Sequence, residues 1–183
     1  VDTIAGGGAV DTITGGAGND IITGGAGNDI ITVDAGTDTV TDLGGGGSGG
    51  DDDVVIVSSG AKLSATGVVD FSATSATQNN ATDAGNAVLA AASGGSTMNV
   101  SAATGSAVSF TLTGGAGVDI ITGSTGADII TGAGAVDTID GGVAPVLLLK
   151  YSLKGTSFSW SLYCFAKSNT AAVIPLSNKE DSR

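Results

Sequence analysis

Aspartate recurs at nine-residue intervals in two parts of this chain, and these carboxylates are the side chains best suited to chemistry. The recurring positions are Asp2, Asp11, Asp20, Asp29 and Asp38, followed after a long gap by Asp119, Asp128 and Asp137. Carboxylates and backbone carbonyls are the ligands of a hard cation such as Ca²⁺, which takes about six to eight oxygens. Because an aspartate at a fixed phase has no purpose in packing, the repeat predicts cation binding.

The unit around each aspartate reads as a glycine-rich turn followed by a very short strand. Two complete copies stand in tandem: Gly15-Gly16-Ala17-Gly18-Asn19-Asp20-Ile21-Ile22-Thr23 and the identical residues 24–32. Glycine reaches backbone angles closed to other residues and lets backbones approach closely. A β-branched aliphatic residue stands two places beyond each aspartate and is the candidate for the core: Ile4, Ile13, Ile22, Ile31, Val40, Ile121, Ile130 and Ile139.

One three-residue strand cannot bury anything by itself, so successive copies must stack on one another. A two-sided coil of two repeats, about eighteen residues, would place alternate copies on the same side. Stacking also brings the aspartates of neighbouring coils close together, where unneutralised like charges oppose compaction. A bound dication would remove that penalty.

The nonapeptide resembles the RTX, or haemolysin-type calcium-binding, repeat, whose pattern is G-G-x-G-x-D-x-U-x with U a large aliphatic residue. The resemblance covers residues 1–41 and 114–142 and implies an all-β fold, a parallel β-roll or β-solenoid. It further implies Ca²⁺ between facing turns one coil apart: Asp11 with Asp29, Asp20 with Asp38, and Asp119 with Asp137. The metal-site residues so implied are Asp11, Gly15, Ala17, Asn19, Asp20, Gly24, Ala26, Asn28, Asp29, Asp38, Gly114, Ala116, Asp119, Asp128 and Asp137.

The copies are unequal, and the completeness of each turn ranks the sites. The order is Asp20 and Asp29 first, then Asp11, Asp38 and Asp119, and last Asp128 and Asp137. Ser124 replaces the second glycine of one late turn, and Ala133 and Ala135 replace the second and fourth glycines of another. The alternative is a glycine-rich solenoid, or a disordered repeat, that never binds metal. That alternative has more weight for the second set of repeats.

Charge and composition narrow the functional classes. The formal net charge is -12, and 16 of the 18 acidic residues lie in residues 1–142 beside a single base, Lys62. This acidity argues against nucleic acid or an anionic membrane as a partner and for calcium ions. Cys164 is the only cysteine, so there is no disulfide framework. We find no signal peptide and expect no membrane insertion. The first residues begin in mid-repeat, so we expect a fragment of a longer protein.

Residues 42–113 differ in sequence pattern from the repeats on either side. They are predicted to form a non-calcium β-rich segment that continues the solenoid with larger or irregular coils. Residues 42–50 resemble a flexible linker. The Asp51-Asp52-Asp53 run that follows is interpreted as a solvated loop in preference to an added calcium site. Val54–Val57 is predicted to be a strand buried on both faces.

Two further stretches of this middle segment are predicted to be strands. Val108, Phe110 and Leu112 alternate with polar residues, which is typical of a half-buried strand. Residues 86–92 could form one short helix, but strands are preferred by context. The order of the segment resembles non-calcium β segments that interrupt RTX arrays in long bacterial surface proteins.

The last segment, residues 143–183, is predicted to be an atypical C-terminal tail. It holds five of the six basic residues and has no nine-residue phase. It is either an uncleaved export signal of the kind RTX proteins commonly use or a tail with no evolved role, and its abrupt change of composition favours the second. The predicted divisions are 1–41 (first calcium-binding cluster), 42–113 (middle segment), 114–142 (second cluster) and 143–183 (tail).

Catalysis finds no support in the sequence, because there is no histidine to act as a base and no glycine run completes a phosphate loop. We therefore expect no enzyme but a calcium-binding structural module of a secreted or cell-surface bacterial protein, such as an S-layer protein or adhesin. Neighbouring copies in a surface layer or a cell-surface molecule would be its partners. The alternative is a C-terminal export and folding domain of a type I-secreted toxin or hydrolase. Ice binding has less weight, because alanine occupies the outward third position of the turns.

Overall fold

The computed structural model describes residues 1–44, 52–82, 86–106 and 108–143, with the backbone of three later strands. The strands are β1 (Thr3–Gly7), β2 (Thr12–Thr14), β3 (Ile21–Gly25), β4 (Ile30–Val33), β5 (Thr37–Val40), β6 (Val54–Val57), β7 (Lys62–Val68), β8 (Phe71–Ser72), β9 (Gln78–Asn79), β10 (Ala87–Ala91), β11 (Thr97–Asn99), β12 (Thr111–Thr113), β13 (Ile120–Thr122), β14 (Ile129–Thr131), β15 (Thr138–Asp140), β16 (Val146–Lys154), β17 (Ser157–Phe165) and β18 (Ala172–Ile174).

The strands form three sheets whose order follows a winding chain. One sheet has ten strands in the order β1-β3-β5-β7-β10-β12-β14-β16-β17-β18, and two sheets of four have the orders β2-β4-β6-β9 and β15-β13-β11-β8. Successive strands up to β16 pair in parallel, whereas β17 and β18 pair antiparallel. The predicted all-β parallel roll is confirmed.

The length of a coil changes along the stack. The repeats form a first set in residues 1–41 and a second set in residues 114–142. In both sets the chain returns to the same place after 18 residues, as the hydrogen bond from the Asp2 amide to Asp20 illustrates. Through the middle segment the coils lengthen, with 24 residues between Asp29 and Asp53 and 23 between Ser96 and Asp119. The parallel stack therefore continues through residues 42–113 with larger coils.

The core is a column of aliphatic side chains between the two sides of the coil. Ile22, Ile31, Ile121 and Ile130 have 0% of their surface exposed, whereas the preceding Ile21 is 45% exposed. This alternation follows from the two-residue period of a strand. Larger side chains continue the column through the middle segment: Leu63, Phe71, Leu89, Met98, Phe110 and Leu112.

Two strand predictions in the middle segment need correction. Alternate residues of Val54–Val57 are only half-buried, because one face of β6 lies away from the core. Val108 has a φ of 37°, outside the extended region, so the strand that follows it, β12, begins only at Thr111. Ala87–Ala91 is a strand, as preferred, and pairs with the strands on either side.

The described part of the chain contains no helix that is long and apolar enough to cross a membrane. Residues 45–51, which include most of the predicted linker, lie outside the described residues. The side chains of 144–183 also lie outside them, and the prediction of an atypical tail is not tested there. The backbone of β16 pairs in parallel with β14, so the ten-stranded sheet extends past residue 143.

Candidate metal centre

The repeat aspartates stack above one another and are linked through their Oδ1 atoms. Each Oδ1 accepts a hydrogen bond from a backbone amide one coil earlier. The donor and acceptor residues are Asp2 and Asp20 (2.7 Å), Asp11 and Asp29 (2.8 Å), Asp20 and Asp38 (3.0 Å), Ser96 and Asp119 (2.9 Å), Phe110 and Asp128 (2.8 Å), and Asp119 and Asp137 (3.1 Å). Each pair predicted to share an ion therefore lies in adjacent coils.

The other carboxylate oxygen, Oδ2, is left without a donor at three aspartates of the first set. Asp20, Asp29 and Asp38 are 1%, 0% and 0% exposed, and none of their Oδ2 atoms has a hydrogen-bond partner. A buried carboxylate oxygen without a partner is costly, because it has lost its water and gained nothing in exchange. These three residues thus fit a bound cation.

Two of these oxygens converge beside one glycine. A Cβ placed on Gly15 would lie 3.2 Å from Oδ2 of Asp20 and 3.1 Å from Oδ2 of Asp38. The two carboxylates come from successive coils, so one point between the turns is within reach of both. A larger residue at Gly15 would crowd both oxygens, which gives a physical reason for glycine at the first position of the turn.

Backbone carbonyls add oxygen atoms at the same position of other turns. A Cβ on Gly6 would lie 2.7 Å from Oδ2 of Asp11 and would also meet the carbonyl oxygen of Gly24, one coil later. Gly114 faces the carbonyl oxygen of Gly132 in the same way. The described residues contain no group of three or more His, Cys, Asp or Glu side chains suited to a metal. The arrangement is a carboxylate pair with carbonyls, which suits Ca²⁺.

The asparagine side chains of the turns are engaged elsewhere. Asn19 and Asn28 are exposed, and their Oδ1 atoms accept the amides of Thr37 (3.0 Å) and Asp52 (3.2 Å) in the next coil. These side chains therefore act as links between successive coils. The third-position alanines are also exposed: Ala17, Ala26 and Ala116.

Backbone angles distinguish the last turn from the intact ones. Gly16 and Gly18 have φ values of 86° and 134°, in the region that favours glycine. Ala133 and Ala135 hold the corresponding positions before Asp137, with φ values of 65° and 56°. A left-handed alanine costs about 1–2 kcal/mol, so this turn is strained.

Asp53 is a member of the aspartate stack that the sequence interpretation missed. It is 2% exposed, its Oδ1 accepts the Asp29 amide at 2.9 Å and its Oδ2 accepts the Gly44 amide at 2.9 Å. The prediction of a solvated loop is wrong for Asp53; Asp52 is exposed, and residue 51 lies outside the described residues. The available signal was the apolar pair Val54-Val55, which follows Asp53 as Ile30-Ile31 follows Asp29.

Asp128 is satisfied by its own turn. Its Oδ2 accepts the Ser124 amide at 2.7 Å, and the Ser124 hydroxyl lies 2.9 Å from Oδ1 and 3.0 Å from Oδ2. Burial raises the pKa of Asp128 above its ordinary 3.8, while the hydrogen bonds from Phe110 and Ser124 lower it. Ser124, which departs from the repeat pattern, therefore supplies Oδ2 of Asp128 with a partner from within the protein.

Burial also raises the pKa of Asp38, and the negative charges of Asp20 and Asp34 raise it further against the lowering effect of the Asp20 amide. The carboxylates of the first set thus repel one another in the folded coil. A divalent cation between them would reverse this effect, because opposite charge favours the ionised form.

Parallel coils whose turns carry buried carboxylate pairs and carbonyls define a cation-binding β-roll. The family model described as the RTX calcium-binding nonapeptide repeat matches residues 2–40 and 113–143, in 4 copies. These two stretches carry RTX calcium-binding nonapeptide repeats, and RTX repeats bind calcium ions. No curated protein and no solved structure matches the chain.

Proposed function

We propose that this chain is a calcium-dependent structural segment of a secreted or cell-surface bacterial protein, and that it folds on exposure to extracellular calcium. The observation that carries the proposal is the set of buried Oδ2 atoms without partners on Asp20, Asp29 and Asp38. Each is an acceptor withdrawn from water, so the coil lacks an interaction until a cation supplies it.

We assign the ions to three pairs of turns, those of Asp11 with Asp29, Asp20 with Asp38 and Asp119 with Asp137. Support comes from the stacking of each pair in adjacent coils and from the oxygens that gather at the first glycine of the turns. The first-position and third-position carbonyls of the turns complete the assignment. Residues 1–41 and 114–142 are then the calcium-binding divisions, with 42–113 as a calcium-free division between them.

Thermodynamic linkage connects calcium to folding. A ligand that binds only the ordered coil stabilises it by about 2.7 kcal/mol per site at a hundredfold excess over Kd. Without the ion, the 16 acidic residues of residues 1–142, which have only one base among them, repel one another and oppose compaction. Low cytosolic calcium keeps the chain unfolded for export, and extracellular calcium folds it.

A structural role is preferred over an export domain because of the middle segment. Its large side chains continue the apolar column between the two calcium-binding stretches, as expected of a continuous rod and not of two separate folding signals. The chain has no histidine, and we assign it no catalytic activity. Neighbouring copies in a surface layer, or a cell-surface molecule, are the partners we expect.

Calcium titration of the full chain tests the proposal. Far-UV circular dichroism is recorded in chelator and then with increasing Ca²⁺, and Mg²⁺ is the control because it is smaller and prefers octahedral sites that keep water. The β signal should rise with Ca²⁺ and change little with Mg²⁺ at the same concentrations. A β signal that is complete in chelator and unchanged by Ca²⁺ would contradict the proposal.

A further inference from the structure

Two second-position amides of the first set, those of Gly16 and Gly25, donate to carboxylates in the following coil. The Gly16 amide donates to Oδ1 of Asp34 at 2.9 Å. The Gly25 amide donates to Oδ2 of Asp42 at 3.2 Å. Neither acceptor is one of the aspartates that recur every nine residues, and both side chains are half-buried.

The same amides have different acceptors in the second set. The Gly115 amide donates at 2.8 Å to Oδ2 of Asp119, the aspartate of its own turn. The Ser124 amide likewise donates at 2.7 Å to Oδ2 of Asp128. At Asp119 and Asp128 the oxygen nearest the first glycine is therefore already hydrogen-bonded.

The difference between the sets coincides with a difference in sequence one coil later. Asp34 holds the second position of the turn that stacks on the turn of Gly16. Ala133 holds this position in the turn that stacks on the turn of Gly115, and its side chain offers no acceptor. Where the later turn supplies a carboxylate, the amide goes to it and leaves the aspartate of its own turn with a vacant Oδ2.

We propose that Asp34 and Asp42 are positioning residues for the first set of calcium sites. By accepting the Gly16 and Gly25 amides they keep these donors away from Oδ2 of Asp20 and Asp29, and so hold both oxygens available to the ion. The inference rests on the proposed calcium binding and adds to it two residues outside the repeat pattern.

The test compares alanine and asparagine at these positions in the full chain. Loss of an outer partner of a metal ligand typically costs about 10–100-fold in affinity, and we expect Asp34→Ala with Asp42→Ala to raise the calcium midpoint by about this factor. Asparagine keeps a carbonyl oxygen that accepts the same amide. Asp34→Asn with Asp42→Asn should therefore keep a midpoint close to that of the wild type.

Calcium binding is measured by calorimetry, and the Gly16 and Gly25 amides are followed by NMR in the calcium-loaded state. These amide resonances should move in the alanine variants and stay nearly in place in the asparagine variants. Asp52→Ala is the charge control, because it removes an exposed carboxylate near the same sites and should leave the midpoint unchanged. If the double alanine variant does not fold at saturating calcium, each single variant is measured, since each perturbs one turn only.

Alanine variants that bind calcium as tightly as the wild type would overturn the inference. An equal loss of calcium affinity in the alanine and the asparagine variants would also overturn it. The charge of the side chain, and not its hydrogen bond, would then be responsible for the loss. A wild-type chain that binds no calcium would instead refute the proposed function, and the inference with it. The two failures are thus distinguished by the wild-type titration alone.

Discussion

The two sets of repeats have coils of the same length but differ in the hydrogen bonds of their buried carboxylates. Both return after 18 residues, and both link their aspartates through Oδ1. In the first set Oδ2 of Asp20 and Asp29 has no donor, whereas in the second Oδ2 of Asp119 and Asp128 accepts an amide of its own turn. One nonapeptide can therefore form a coil that needs a cation or a coil that partly satisfies its own carboxylates, depending on the second position of the turns.

The middle segment extends this comparison to a stacked carboxylate that accepts protein amides on both oxygens. Asp53 continues the stack above Asp29, yet both of its carboxylate oxygens accept protein amides, those of Asp29 and Gly44. A buried carboxylate with a protein donor on each oxygen has less need of an ion than one whose Oδ2 has no donor. We therefore expect calcium dependence to be strongest in the first set, weaker in the second and absent between them.

Removal of two first-set carboxylates should give the largest effect. Asp20→Ala with Asp29→Ala abolishes two sites, each worth about 2.7 kcal/mol at a hundredfold excess of calcium, so we expect a loss of about 5 kcal/mol in the free energy of unfolding. The loss should be large at saturating calcium and smaller at the lowest calcium concentration that keeps the chain folded, where only the Oδ1 hydrogen bonds of the two aspartates are lost. Urea unfolding in these two buffers measures it.

Asp128→Ala is the matched control for that experiment. It should destabilise the chain by a similar amount in both buffers, because the partners of Asp128 belong to the protein. If the two variants showed the same dependence on calcium, the proposed difference between the sets would be wrong.

The second-largest effect is expected at Ser124. Replacement by alanine removes the hydroxyl that lies 2.9 Å and 3.0 Å from the two oxygens of Asp128. Loss of a hydrogen bond to a buried charged group costs about 1–3 kcal/mol, and this cost should be the same in the low-calcium and the saturating buffer. Chemical denaturation measures it, with exposed Ser72→Ala as the control. An unchanged free energy of unfolding would show that the amide of residue 124 suffices.

Periodicity explains how much of this molecule the sequence could predict. A strict nine-residue phase determines both the register of the strands and which side chains are buried. The burial of Ile22 and the position of Asp20 one coil before Asp38 follow directly from it. Asp53 could not be placed, because its coil is 24 residues long and breaks the phase. The role of Ser124 depends on where a hydroxyl points within a turn, which spacing alone does not determine.

Glycine at position 133 should make the second set more stable. Ala133 has a φ of 65°, where alanine costs about 1–2 kcal/mol, and part of that gain is offset by the greater entropy of glycine in the unfolded chain. We expect Ala133→Gly to raise stability by about 1 kcal/mol in thermal unfolding. Ala116→Gly is the control, because Ala116 is outside the positive-φ residues and glycine there should be neutral or destabilising. Destabilisation of both variants alike would argue against strain at Ala133.

The smallest effect is expected from pH at low calcium, because hydrogen bonds from Phe110 and Ser124 oppose the burial that raises the pKa of Asp128. A carboxyl with a raised pKa in the folded state binds a proton more readily there than in the unfolded chain. At the lowest calcium concentration that keeps the chain folded, stability should therefore rise as pH falls from neutral through the raised pKa toward 3.8. At saturating calcium the trend should reverse in the first set, where protons compete with the ion for Asp38.

Urea unfolding across this pH range measures both trends. The variant Asp128→Asn, which carries no titrating group at this position, should weaken the trend at low calcium. A fall in stability with acid at low calcium would contradict burial as the origin of the raised pKa of Asp128.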